Sequence, residues 1–163
     1  CLHGRLFLNG LPMLFLIITT IILYLFLVIS ESREVPESLS ATYYLMKDNG
    51  WMFQSLMVFC GIGLLPSWMD VSSEGWRFLV FLSCSGIVFT GVAPAFRLKL
   101  EGAVHYSAAV VCCVSAIIWI LLEGMYPVVL WWGLIGWMLY LQFGRWCFWL
   151  EMAVISGVLT CLI

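Results

Sequence analysis

The chain has 163 residues, 64% of them hydrophobic and only 10% charged, with a formal net charge of −2. A soluble domain this short cannot hide so much apolar surface, and so small a charge gives no field for nucleic acid. Both a nucleic-acid partner and an ordinary soluble domain are therefore excluded, and one membrane domain over residues 1–163 is the simplest division.

Six apolar stretches have the length of roughly 20 residues that a bilayer-crossing helix needs. The first, 11–30, is too long for a signal-peptide core and runs into Ser30-Glu31 without a small-residue cleavage site, so we expect a retained helix. The chain opens at Cys1, and missing upstream residues are expected rather than a lipidated N-terminus. A polar loop, 31–50, follows as the one connection with room for a feature outside the membrane. Spans are then predicted at 51–69, 78–96, 103–122, 125–143 and 146–163, with the last two joined as a tight antiparallel hairpin. Of the 7 basic and 9 acidic residues, only Glu151 falls inside a span. Charge in hydrocarbon is costly, and backbone groups there must be satisfied within the segment, so the predicted fold is all-α, a polytopic transmembrane bundle of about six spans. A barrel would alternate over about ten residues per strand, and this chain does not. Trp51, Trp68, Trp76, Tyr126, Trp146 and Trp149 are expected at the membrane interfaces.

Seven cysteines show no C-x-x-C pair and no histidine at ligand spacing. They read as small packing residues, and no metal or cofactor is expected. Thr19 and Thr20, mid-span, are expected to bond back to their own helix. No phosphate loop, nucleophile elbow or hydrolase triad is visible, so we expect no enzyme.

The polar residues within spans carry the functional expectation. With six spans, Gln54, His105 and Glu151 lie near the loop 31–50 end of the bundle, and Arg97, Lys99 and Arg145 lie at its rim. Thr90 is near the same end. An ionisable residue inside a span is a functional candidate whose partner must be named; here the expected partner of Glu151 is His105 or Arg145. The plainer alternatives are that Glu151 only ties helices together, that His105 is a solvated helix-start residue, and that Gln54 packs. These six residues form the candidate ligand-binding set, around a polar cavity that opens on the loop.

A resemblance enters at Pro36-Glu37-Ser38-Leu39-Ser40, Gly91-Val92-Ala93-Pro94-Ala95-Phe96, Val104-His105-Tyr106-Ser107-Ala108-Ala109 and the Glu in Trp149-Leu150-Glu151. This order resembles the six-helix family of damage-regulated autophagy modulators and fibroblast-growth-factor-receptor-activating proteins, with related bacterial membrane proteins, over residues 11–163. The resemblance implies a lipid-handling role with His105 and Glu151 as the matched polar positions. The aspartate usual after the serine is missing, since Ala41 and Thr42 follow Ser40. The resemblance implies a cytoplasmic N-terminus, whereas Arg33, Lys47, Arg97, Lys99 and Arg145 in the odd loops would place those loops there; we expect the former. The readings that result are a multi-pass protein of a plasma or inner membrane that binds lipid, a small ion- or proton-coupled transporter or channel, or a subunit of a homo-oligomer or other membrane assembly, marked by the Trp131-Trp132, Trp137 and Tyr140 face.

Overall fold

The computed structural model describes residues 2–94, 97 and 99–163, with side chains from Leu11 onward apart from Lys47. Cys1, and Ala95 and Phe96 at the expected end of the third span, lie outside the described residues. The fold is an all-α bundle: α1 (Leu2–Ser32), α2 (Thr42–Leu45), α3 (Trp51–Val71), α4 (Arg77–Val92), α5 (Lys99–Leu122), α6 (Tyr126–Phe143) and α7 (Trp146–Leu162). Among the described residues, five stretches are long and apolar enough to cross a membrane: Leu11–Ser32, Trp51–Val71, Glu74–Val92, Lys99–Leu122 and Tyr126–Phe143. The sixth expected span, α7, is an apolar helix of 17 residues, at the short end of what a bilayer accepts.

α1 shows how the sequence selects a buried face. Leu14, Ile17, Ile21, Tyr24 and Val28 recur every three or four residues and are buried, while Phe15, Leu16, Ile22, Leu23 and Phe26 between them are exposed. That spacing makes one stripe along a helix. In water the outer set would be a liability; in lipid it is the solvated face. α4 lies between α3 and α5 along most of its length, and the α6–α7 pair attaches through α5, with α7 meeting α3 only briefly.

Two glycines let α4 approach its neighbours. A Cβ on Gly61 would sit 2.9 Å from the Cys84 carbonyl oxygen, and one on Gly86 would sit 2.7 Å from the Ala108 carbonyl oxygen. Small residues at such crossings are the usual basis of tight helix pairing in lipid. Ser83 adds a hydroxyl bond to the Cys112 carbonyl at 3.3 Å. Trp68 and Trp119 form an edge-to-face pair with centroids 5.2 Å apart. Both are essentially buried, so Trp68 is a core residue rather than the expected interface anchor. Thr19 and Thr20 bond back to the Phe15 and Leu16 carbonyls, as their mid-span position predicts.

The turns follow from backbone chemistry. α5 ends with Gly124 at φ +78, where Gly124 N–H bonds to the Leu121 carbonyl and Met125 N–H to the Ile120 carbonyl, the paired bonds of a left-handed helix stop. Gly144 and Arg145 both take positive φ and fold α6 directly onto α7, the expected hairpin.

The largest departure from expectation is residues 33–50. They form no loose polar loop. Arg33, at φ +57, ends α1 with its N–H on the Ile29 carbonyl. The chain then turns back over the bundle, burying Leu39, Ser40, Thr42 and Met46. Only Leu39 and Met46 of these four are strongly apolar, so composition alone hides the folded cap.

Candidate functional site

The cap is stitched to the start of α7. Leu39 donates its backbone N–H to Glu151 Oε2 at 2.5 Å, and Phe148 N–H donates to the Glu37 carbonyl at 3.2 Å. The latter satisfies one of the amides that a helix N-terminus leaves open. Outside, Arg145 bonds to Glu37 at 3.0 Å and reaches Glu34 at 3.9 Å. From α1, Tyr24 meets Thr42 Oγ1 at 2.6 Å, while Thr42 Oγ1 donates to the Leu39 carbonyl at 2.5 Å. The threonine has one hydroxyl hydrogen and spends it on the carbonyl, so Tyr24 is the donor in that pair.

Beneath the cap lies a cavity of about 100 Å³ between α1, α3, α4, α5 and α7. Its walls are alkyl and thiol side chains over most of their extent, including Leu56, Cys60, Cys113 and Val158. Ser40, Thr90 and Glu151 form its cap end, and Trp68 and Leu159 its far end. Along α3 the lining runs from Leu56 to Trp68, about 18 Å at 1.5 Å per residue. Two polar atoms of wall residues have no hydrogen-bond partner, Thr90 Oγ1 and Trp68 Nε1. Among the described residues no group of three His, Cys, Asp or Glu side chains could hold a metal ion. The cysteines at positions 60, 84, 112, 113, 147 and 161 are free.

Of the six candidate residues, Glu151 alone is a wall of this cavity. Its partner is the Leu39 amide, in place of the expected His105 or Arg145. Each of those two is committed elsewhere for a physical reason. α4 stops before Pro94, which leaves its last carbonyls without helical partners. His105, 2% exposed, donates Nδ1–H to the Ala93 carbonyl at 2.9 Å, with the Thr90 carbonyl as a further backbone partner. It is thus a buried tie between α4 and α5, neither a solvated helix start nor a cavity wall. Arg145 sits in the left-handed turn before α7 and points its guanidinium to the acidic residues of the cap. Arg97 lies 4.2 Å above the Tyr44 ring and donates its N–H to Tyr44 Oη at 3.0 Å. Lys99 is exposed at the first residue of α5, and Gln54 is half-buried on α3 outside the lining. The expected polar cavity is therefore corrected to an apolar one with a narrow polar end.

Sequence reasoning placed Thr90 and Glu151 at the right end of the bundle and missed Ser40, Leu39 and Trp68. A local signal existed for the cap, since Pro36, Leu39 and Met46 interrupt an otherwise polar run. None existed for Trp68, whose position one turn from a helix end equally fits an interface ring. Compared with protein-family models, curated proteins and solved structures, the chain matches none. The reading of function rests on the residues themselves.

Proposed function

We propose that this is a non-catalytic, multi-pass membrane protein of a plasma or inner membrane that holds a lipid, with an alkyl chain in the cavity and a polar group at the cap end. The observation that carries the reading is a long apolar cavity closed at one end by a half-buried carboxyl. Its volume has room for several waters, but apolar cavities stay dry and take apolar guests. α7 meets α3 only briefly, and it is on that side that a chain would enter from the bilayer. A transporter or channel draws less support, because an ion in this space would meet few oxygens along the walls.

Native mass spectrometry of the purified chain in mild detergent tests the reading, wild type beside Ala109→Phe and Ala116→Phe, both on the cavity wall. The expected result is a retained lipid of defined mass that is lost in both variants while the melting curve stays cooperative. A wild-type protein that flies bare, or variants that keep the lipid, would overturn the proposal.

A second reading, a subunit of a homo-oligomer or larger assembly, draws on α6. Only 6% of its apolar window is buried within the chain, and Trp131 and Trp137 face outward. The same spectrum reports it as a multiple of the chain mass or a co-purified partner.

A further inference from the structure

The polar end of the cavity holds an acidic side chain and no basic one. One oxygen of Glu151 is held by the Leu39 amide, and no described residue donates to the other. Thr90, 4% exposed, carries a hydroxyl without a partner, and Ser40, 5% exposed, lines the same end. A carboxylate inside apolar walls is strongly unfavourable unless it takes up a proton or a cation accompanies it. Among the described side chains, the basic groups at this end of the bundle do not supply one, and Lys99 is exposed at the first residue of α5. Arg145 is drawn outward to Glu34 and Glu37, Arg97 rests on Tyr44, and His105 bonds to the Ala93 carbonyl.

We propose that the ligand brings the missing charge: the cavity takes an amphiphile with a primary ammonium head group, which pairs with Glu151 while its alkyl chain runs along α3 toward Trp68. This rests on the lipid-holding reading above and names the class of lipid. A primary ammonium has three N–H donors and no acceptor. The cap end offers three oxygens to receive them, the second Glu151 oxygen, Thr90 Oγ1 and the Ser40 hydroxyl. A carboxylate or phosphate head in the same place sets like charge against Glu151. An alcohol head fits the space but offers the acid no base to pair with.

The test uses the full chain in nanodiscs of phosphatidylcholine, a lipid without a primary amine. Three long-chain probes share a photoreactive diazirine near the chain end and differ only in head group: amine, alcohol or carboxylate. A fourth is phosphatidylethanolamine with the diazirine in one chain. After irradiation, labelled peptides are mapped by mass spectrometry. The amine is expected to label the Leu64–Trp68 and Val158–Leu159 peptides, exceeding the carboxylate by about tenfold or more, the scale of one buried charge-assisted bond. Labelling by phosphatidylethanolamine as well identifies the amine as that of a phospholipid; labelling by the alkylamine alone identifies a single-chain ligand. Both results support the proposal. Glu151→Gln retains an oxygen for the Leu39 amide, so the cap stays closed, and the variant should keep alcohol labelling while losing the preference for amine. Equal labelling of the cavity by all three head groups would overturn the ammonium assignment and leave the lipid reading standing. No labelling of cavity peptides by any probe would overturn both. Thr90→Val checks the second contact, with an expected several-fold loss of amine labelling and none of alcohol labelling at the far end.

Discussion

The crossing of α4 and α5 gives the most direct test of the packing. At Gly86 an added Cβ would stand 2.7 Å from the Ala108 carbonyl oxygen and 2.8 Å from Cys112 Cβ. Both neighbours belong to the α5 backbone or sit next to it, so no side chain can swing aside. α4 and α5 must separate along their shared length to admit one methyl. Overpacking of this kind costs about 1–3 kcal/mol, which for a chain of this size lowers the melting temperature by about 2–12 °C. Gly133, on the outer part of α6, has nothing within 4 Å of its would-be Cβ. There Gly→Ala only removes backbone freedom from the unfolded chain and should stabilise by roughly 0.5–1 kcal/mol. Melting both variants in the same detergent, followed by size-exclusion recovery after heating, gives a differential reading in which detergent effects cancel. Gly86→Ala is expected to fall and Gly133→Ala to hold or rise. Equal melting temperatures would refute the close approach of α4 to α5.

Other outcomes follow from single contacts. Tyr24→Phe removes the donor to Thr42 in a buried bond and should cost about 1–2 kcal/mol, seen as a lower melting temperature and faster amide exchange across residues 39–42. Arg145→Ala deletes two exposed ion pairs, worth less than about 1 kcal/mol; a near-unchanged melting curve is expected, and a large drop would mean that the guanidinium carries the cap. Glu123→Ala removes acceptors at 2.8 and 2.9 Å from the Ser73 N–H and hydroxyl. It should speed exchange of the Ser73 amide while leaving the cap amides at residues 39–42 untouched.

What could be read in the sequence and what could not divide along a physical line. Membrane insertion is decided segment by segment, by the transfer cost of each residue, so the five long apolar stretches, the shorter apolar α7 and the α6–α7 turn are legible from local composition. The site is made by pairings that no local pattern encodes. Leu39 and Glu151 are 112 positions apart, and His105 looks like a ligand until the carbonyls at the end of α4 are seen to need a donor. Residues 33–50 read as polar because polarity is counted by side chain. Their burial is decided by whether backbone groups find partners once out of water. The Leu39 N–H finds one in Glu151, and its carbonyl finds one in Thr42, which is what allows a short polar stretch to close the bundle. The carboxyl thus holds the cap through Oε2 and lines the cavity. Glu151→Gln keeps an acceptor for the Leu39 amide and removes the acid from the cavity, whereas Glu151→Leu removes both. A Gln variant that melts like wild type, beside a Leu variant that loses protection at residues 39–42, is the pattern this division of labour requires.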